Sequence, residues 1–228
     1  MSPRRPRSAR GSGTELRAEI LTATRELLAR TGNAETVSIR EVGSLVGVTA
    51  PSIYRHFADK TELIDAAVAE VFEDLDAAMA AVTDPAASPI SRMREQGMAY
   101  VRFALSHPGQ YRVATSATGD GPTAVDQVLG SGAFQRFSQT VRDAMDSGVL
   151  PPGDPMQMVL ILWSAAHGIA SLMIAKPFLP WGDVEVIADR VMAATGLGFG
   201  VLGIIGGETP SPDEGARWLA RLREHNLS

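Results

Sequence analysis

Residues 38 to 57, SIREVGSLVGVTAPSIYRHF, followed after two residues by Lys60, prescribe two short helices around a tight turn. Ser38 and Glu41 have the S-x-x-E spacing of a capping box, in which the serine caps the helix and the glutamate reaches back to the cap amide. Ile39, Val42, Leu45 and Val46 then recur at spacings of three and four and give that helix one apolar face. Gly47 stands where the chain must turn, and without a β-carbon it reaches left-handed backbone angles at no steric cost. Val48 plugs the corner. Thr49 is placed to cap a second helix, and Pro51 lies in its first turn, where a missing amide proton breaks no internal hydrogen bond. Ile53 and Phe57 pack inward, leaving Pro51, Ser52, Arg55 and His56 on the more exposed sides. Asp59 and Glu62 open a third helix with a D-x-x-E box.

The order of helix, glycine turn and Thr49-capped helix, with Tyr54, His56, Phe57 and Lys60 behind it, resembles the DNA-binding domain of the TetR family of bacterial transcriptional regulators. The resemblance covers roughly residues 14 to 65. Gly43 and Val46 stand where that family usually has alanine, and Ala50-Pro51 opens a recognition helix that is often more polar. The resemblance implies a homodimer with its two recognition helices in successive major grooves of a palindromic double-stranded operator, half-sites about 34–36 Å apart. Thr49, Tyr54, His56 and Lys60 would hold phosphates and set the register. Arg40, Pro51 and Ser52 would meet base edges, Pro51 against a thymine methyl. Arg55 is ambiguous, and for Tyr54 and His56 a packing role that stabilises the turn is an equal reading.

Charge distribution agrees with a DNA-binding head. The formal net charge is −5, yet residues 1 to 60 carry ten Arg or Lys against six acids, while the remaining 168 carry 11 against 20. A basic head on an acidic body suits local binding of phosphate by the head alone. Residues 1 to 13, MSPRRPRSARGSG, lead into no apolar run of the kind a signal peptide needs and are read as a flexible basic arm. Such an arm either reaches DNA phosphates or a minor groove, or is an unstructured solubilising tail. The chain has no cysteine, which removes disulfides and thiolate metal sites and fits a reducing cytoplasm.

The pass along the chain reads as all-α, with no convincing strand alternation. Ile20, Ala23, Thr24, Leu27 and Leu28 make an amphipathic helix from Thr14 to Arg30, stopped by Gly32. The helix at Lys60 continues through Leu63, Ala67, Val71 and Leu75 towards Val82 and links the two functional regions. Ile90, Met93, Gly97, Tyr100, Val101 and Leu105 form another stripe, ending around His107-Pro108-Gly109 before a shorter element through Tyr111 and Val113. Val125 to Met145 predict a further helix with an irregularity at Gly130-Ser131-Gly132. The expected organisation is a basic arm at 1–13, a helix-turn-helix domain at 14–60, and an effector-binding and dimerisation domain at 61–228.

Asp154 and Pro155 start a helix that holds no charged residue up to Ala175, apart from His167 counted neutral. By length this run of 21 residues could cross a membrane. Gln157, Ser164, His167, Gly168 and Ser171 interrupt it and no basic flank anchors it, so a helix buried on nearly all sides is the better reading, with no membrane partner. Trp163, His167 and Gly168 resemble the Trp-His-Gly signature of one class of TetR-family C-terminal domains, as do Gly148 to Pro151 and Asp154-Pro155. That resemblance implies that the helices at about 155–175 and 183–205 pair with their copies in a homodimer. Residues 209 to 216 read as a spacer before a last short helical piece containing Trp218, Leu219 and Leu222.

Catalytic and cofactor signatures are missing. Gly198 to Gly203 formally match G-x-G-x-x-G, but a dinucleotide site needs a preceding strand, and this match lies in a helical pattern. There is no H-E-x-x-H, G-x-S-x-G or phosphate loop, and the four histidines are scattered, so no cofactor or metal is expected. By resemblance an effector pocket lies between the middle helices, with Tyr100, Phe103, Tyr111, Phe134, Phe137, Trp163 and His167 as candidates, each also a credible core residue. The set points to a small hydrophobic or aromatic effector whose binding shifts the Lys60 helix and releases a repressor from DNA. The competing class is an enzyme or small-molecule carrier that uses the same helical cavity.

Overall fold

The computed structural model describes residues 12–115, 132–204 and 210–226. These form ten α-helices with no strand among the described residues: α1 Ser12–Thr31, α2 Ile39–Val46, α3 Ala50–Ile53, α4 Lys60–Val82, α5 Pro89–Ser106, α6 Pro108–Thr115, α7 Ala133–Asp146, α8 Pro155–Ala175, α9 Val184–Ile204 and α10 Pro212–Asn226. A one-turn 3-10 helix, Ala34–Thr36, joins α1 to α2. Residues 1–11 of the expected arm, and the stretch from Val125 to Ser131, lie outside the described residues. Ser12 and Gly13 already belong to α1, so the helix starts two residues before the expected boundary.

Helix α1 packs on α2, α4 and α6; α4 continues from the head into the body, where it meets α5 and α7; and α5 and α8 pack on each other and on both α7 and α9. One continuous apolar core runs from Ile20, Leu27 and Phe57 through Leu63 and Leu75 to Tyr100, Ala170 and Met192. Head and body therefore share a core. A second cluster, with Met93, Val141, Leu150, Met158 and Leu162, fills the end of the body away from the head. Truncating a fully buried member such as Leu27 or Leu63 to alanine removes roughly 2–5 kcal/mol of stability.

Helix starts follow the predicted chemistry at several places. Asp59 accepts the Glu62 amide at 2.8 Å while the Glu62 carboxylate takes the Ala58 amide, which fixes the first turn of α4. Asp154 accepts the Met156 amide at 2.9 Å with Pro155 as first helical residue of α8. At α2 the expected box is not made: Ser38 has capping backbone angles but no side-chain bond, because the Glu41 carboxylate is drawn to Arg30 of α1. Thr49 likewise has an extended cap backbone and no side-chain cap, its hydroxyl lying 3.4 Å from Ser52 Oγ instead.

Two further expectations are corrected. Helix α10 begins at Pro212, inside the segment read as spacer, because Ser211 and Glu214 form a reciprocal cap: the Ser211 amide donates to Glu214 at 2.9 Å and the Glu214 amide to Ser211 Oγ at 3.4 Å. Helix α8 is not buried on nearly all sides. Met156, Leu160, Ile161 and Leu172 form an exposed apolar stripe on it, and α9 exposes Val184, Val186, Leu197 and Val201. Both helices are long and apolar enough to cross a membrane by length and composition. In α9 the apolar run follows Glu185, Asp189 and Arg190, whose charges mask it in the sequence. Glycines 198, 200 and 203 sit within helix α9, not on a strand-to-helix turn, so the dinucleotide signature lacks its context.

Candidate DNA-binding face and effector cavity

The turn between α2 and α3 is built from two glycines. Gly47 has φ +74°, a left-handed angle, and closes α2 as its amide donates back to the Gly43 carbonyl. The Val48 amide donates to the same oxygen at 2.8 Å. Gly43 faces this corner so closely that a β-carbon there would stand 2.7 Å from the Val48 carbonyl oxygen. Glycine at a position where relatives usually carry alanine thus has a local reason: α2 and the turn are in backbone contact. Ile53 and Phe57 are fully buried beneath α3, as their spacing implies, and Arg17 of α1 lies over the Phe57 ring at 5.0 Å.

This support turns the candidate DNA-contacting residues outward. Arg40, Thr49, Pro51, Tyr54 and Arg55 are exposed, Tyr54 by 49%, while Ser52 and His56 are half-buried. Arg55 donates to Ser52 Oγ at 3.2 Å, so Thr49, Ser52 and Arg55 form one polar row along the short helix. Lys60 is placed differently from the rest. Its ammonium donates to the Glu35 carbonyl at 2.8 Å and ties the start of α4 to the 3-10 turn.

The body contains a cavity of about 490 Å³ between α5, α7, α8 and α9. Of the seven candidate effector residues, Tyr100, Phe134, Phe137 and Trp163 line it. Phe103, Tyr111 and His167 do not. Phe103 turns away, with its ring stacked on His107 at 4.6 Å, because its position three residues beyond Tyr100 rotates it towards the α5–α6 junction. Tyr111 and His167 stand behind Tyr100, in a hydrogen-bonded chain that closes the inner end of the cavity. Trp163 Nε1 donates to the Tyr100 hydroxyl at 3.0 Å, Tyr100 and Tyr111 hydroxyls are 3.0 Å apart, and the Tyr111 hydroxyl is 2.6 Å from His167 Nδ1. His167 Nε2 meets Ser171 Oγ at 3.2 Å.

Burial lowers the His167 pKa from its ordinary value and pushes both tyrosines up, so all three are neutral at pH 7. Trp163 is a donor only, and in the tautomer with the imidazole proton on Nε2 the protons run in one direction: Trp163 to Tyr100, Tyr100 to Tyr111, Tyr111 to His167 Nδ1, and His167 Nε2–H to Ser171. Every hydroxyl then has a partner. Met79, Met93, Met192 and Leu197 also line the cavity and carry no sequence signal of it, because a methionine or leucine on an apolar stripe looks like ordinary core. Among the described residues no group of three or more His, Asp or Glu is placed to hold a metal ion.

Comparison with known proteins agrees with this geometry in both halves. The sequence model for bacterial regulatory proteins of the tetR family matches residues 20–67, and that for the tetracyclin repressor-like C-terminal domain matches residues 93–195. The structure of a protein with unknown function from Rhodococcus sp. RHA1 is 25% identical with a TM-score of 0.69, over 81% of this chain and 95% of that one. A TetR-family putative transcriptional regulator from Vibrio parahaemolyticus shares the fold at a TM-score of 0.63 and 19% identity, over 79% of this chain and 96% of that one. The nucleoid occlusion factor SlmA of Photobacterium profundum is 24% identical over 102 residues, 45% of this chain and 52% of that protein. The chain thus spans about half the length of the curated relatives it matches.

Proposed function

Because the chain belongs to the TetR family of bacterial regulatory proteins, and is therefore a DNA-binding transcriptional regulator and not an enzyme, we propose that it is a ligand-released repressor acting as a cytoplasmic homodimer on a palindromic operator. The observation that carries the reading is the pairing of an outward-facing α3 with an apolar cavity in a body that shares its core with the head. The division of labour follows the expected organisation, with DNA contact in residues 14–60 and effector binding and dimerisation in 61–228.

On the DNA side, Thr49, Tyr54 and His56 hold phosphates, and Arg40, Pro51 and Ser52 meet base edges. The recognition helix is short and poor in long polar side chains, so DNA shape and the Arg40 contact carry much of the specificity. Lys60 reaches a phosphate by exchanging its bond to the Glu35 carbonyl for one to DNA. On the ligand side, Tyr100, Phe134, Phe137 and Trp163 form the contact surface, with Tyr111 and His167 setting the Tyr100 hydroxyl behind it.

The exposed apolar stripes of α8 and α9 are the surface a second copy would cover. Four large apolar side chains on each helix face outward, and an isologous pairing of two such helices per subunit buries them without a membrane. Ile161→Arg in the middle of the α8 stripe is expected to convert a dimer to a monomer in analytical ultracentrifugation. Selection of bound fragments from genomic DNA tests the whole reading. Retention of a fragment with two half-sites one turn apart supports it; no retention of any fragment at low salt sinks it.

A further inference from the structure

The cavity is a channel and not a round pocket. Helix α5 lines it with Ile90, Met93, Gly97 and Tyr100 on successive turns, ten residues that rise roughly 15 Å. Helix α9 runs antiparallel alongside, since Arg102 bonds Glu185 at 2.7 Å and Arg94 bonds Asp189 at 2.6 Å in reverse order. It lines the same length from Met192 to Val201.

The two ends differ. At one, Ile90 and Val149, which lie outside the apolar stripes of α8 and α9, are exposed by 44% and 52%. At the other, Met79, Tyr100, Ala133 and Ala166 are all at 6% or below. The open end is the one away from the DNA-binding head, because α5 runs from there towards α6, which sits on α1.

The inner end offers nothing to a charged ligand group. The Trp163 and Tyr100 donors are spent within their own chain. Gln96, fully buried in the lining, gives its amide N–H groups to Thr83 Oγ1 at 3.0 Å and Thr140 Oγ1 at 3.2 Å, and the oxygen left without a partner is an acceptor. An anion pushed to this depth would lose its water and meet no cation. Arg94, the cation in the wall, lies one turn from Ile90, near the open end, where it is paired with Asp189 and Glu95.

We infer that the channel takes a single-headed amphiphile, its unbranched hydrocarbon chain inserted towards Tyr100 and Ala166 and its polar head left at the mouth beside Ile90 and Arg94. The inference rests on the reading of this cavity as the effector site and names the ligand class for it. Lining by Met79, Met93 and Met192 suits a flexible chain, because unbranched thioether side chains adapt to a moving apolar partner.

Isothermal titration of the full-length protein with octanoate, decanoate, dodecanoate and dodecanedioate at pH 7.5, each below its micelle concentration, tests this. Affinity is expected to rise about fourfold per added methylene along the monoacids until the channel is full. Dodecanedioate, which would carry a second carboxylate to the inner end, is expected to bind at least a hundredfold more weakly than dodecanoate. Ala166→Phe, which fills the inner end, should weaken dodecanoate while leaving octanoate unchanged; a thermal melt checks that this variant folds, and the wild-type series decides the matter if it does not. A dioate that binds within threefold of the monoacid, or affinity independent of chain length, overturns the inference. A protein that retains DNA fragments yet rejects every chain overturns the ligand class alone, whereas one that binds chains but retains no DNA overturns the regulator reading alone.

Discussion

Gly109 at the start of α6 lies against Ala29 near the end of α1, so close that a β-carbon on it would stand 2.1 Å from the Ala29 carbonyl oxygen. Gln110 donates to the Arg25 carbonyl of the same helix at 3.3 Å, and Tyr111, the next residue, holds His167 behind the cavity. One turn of α6 therefore touches the DNA-binding head with one side and the hydrogen-bonded chain behind the cavity with the other. Gly109→Ala must push α6 away from α1 and is expected to cost roughly 1–3 kcal/mol of stability. Because the displaced helix carries Tyr111, operator affinity should change as well, which fragment binding at matched folded concentration checks. A variant with wild-type stability and wild-type operator affinity would disprove the contact's role.

Tyr111→Phe removes the hydroxyl between Tyr100 and His167 and leaves them only their longer mutual contact, 3.4 Å from the Tyr100 hydroxyl to Nδ1. The expected cost is about 1–3 kcal/mol in urea denaturation, since each buried polar group keeps its desolvation penalty. Ligand affinity should change less than stability, as Tyr111 does not line the cavity.

His167 gives a pH dependence with a definite sign. Burial holds its folded-state pKa below the ordinary value near 6.5, so above that pH neither folded nor unfolded chain binds the proton and the group contributes nothing. As pH falls below 6.5 the unfolded chain takes up a proton that the folded one refuses, and stability drops until the folded-state pKa is passed. The melting temperature is therefore expected to fall between pH 7 and pH 5.5, and His167→Gln should flatten the curve across that window. An identical slope in the variant would assign the fall to other groups.

Lys60→Ala separates two roles. Loss of the bond to the Glu35 carbonyl should cost about 0.5–1.5 kcal/mol of stability. Loss of a phosphate contact should weaken binding to all DNA sequences and reduce the slope of log affinity against log salt by about one. Ser52→Ala, by contrast, is expected to alter sequence preference more than the salt slope. An unchanged salt slope in Lys60→Ala would leave the lysine with its structural bond alone.

Gly47→Ala puts a β-carbon on a residue with φ +74° and should destabilise the head by about 1 kcal/mol or more, read as a lower melting temperature and weaker DNA retention. Nothing packs within 4 Å of that position, so the whole effect comes from the backbone angle and not from a clash.

Local chemistry was legible because it depends on neighbours in sequence. The apolar stripe of α2, the left-handed Gly47, the Asp59–Glu62 cap and the Asp154-Pro155 start all follow from spacing within one turn. The same logic failed at Ser38 and Glu41, where a salt bridge to Arg30, eleven residues away from Glu41, won over the local box. Nor does spacing along α5 reveal that Phe103 turns from the cavity and stacks on His107.

By itself the sequence determined an all-helical chain with a helix-turn-helix head, and it placed the aromatic residues on the right helices, because helix periodicity and capping are short-range effects. Only the tertiary structure decided which of those aromatics share a wall, that Tyr111 and His167 complete a proton chain with Tyr100, and that Gly109 brings that chain against α1. Tyr111 and His167 are 56 positions apart and Ala29 and Gly109 are 80, and no local pattern encodes a distance set by how the helices pack.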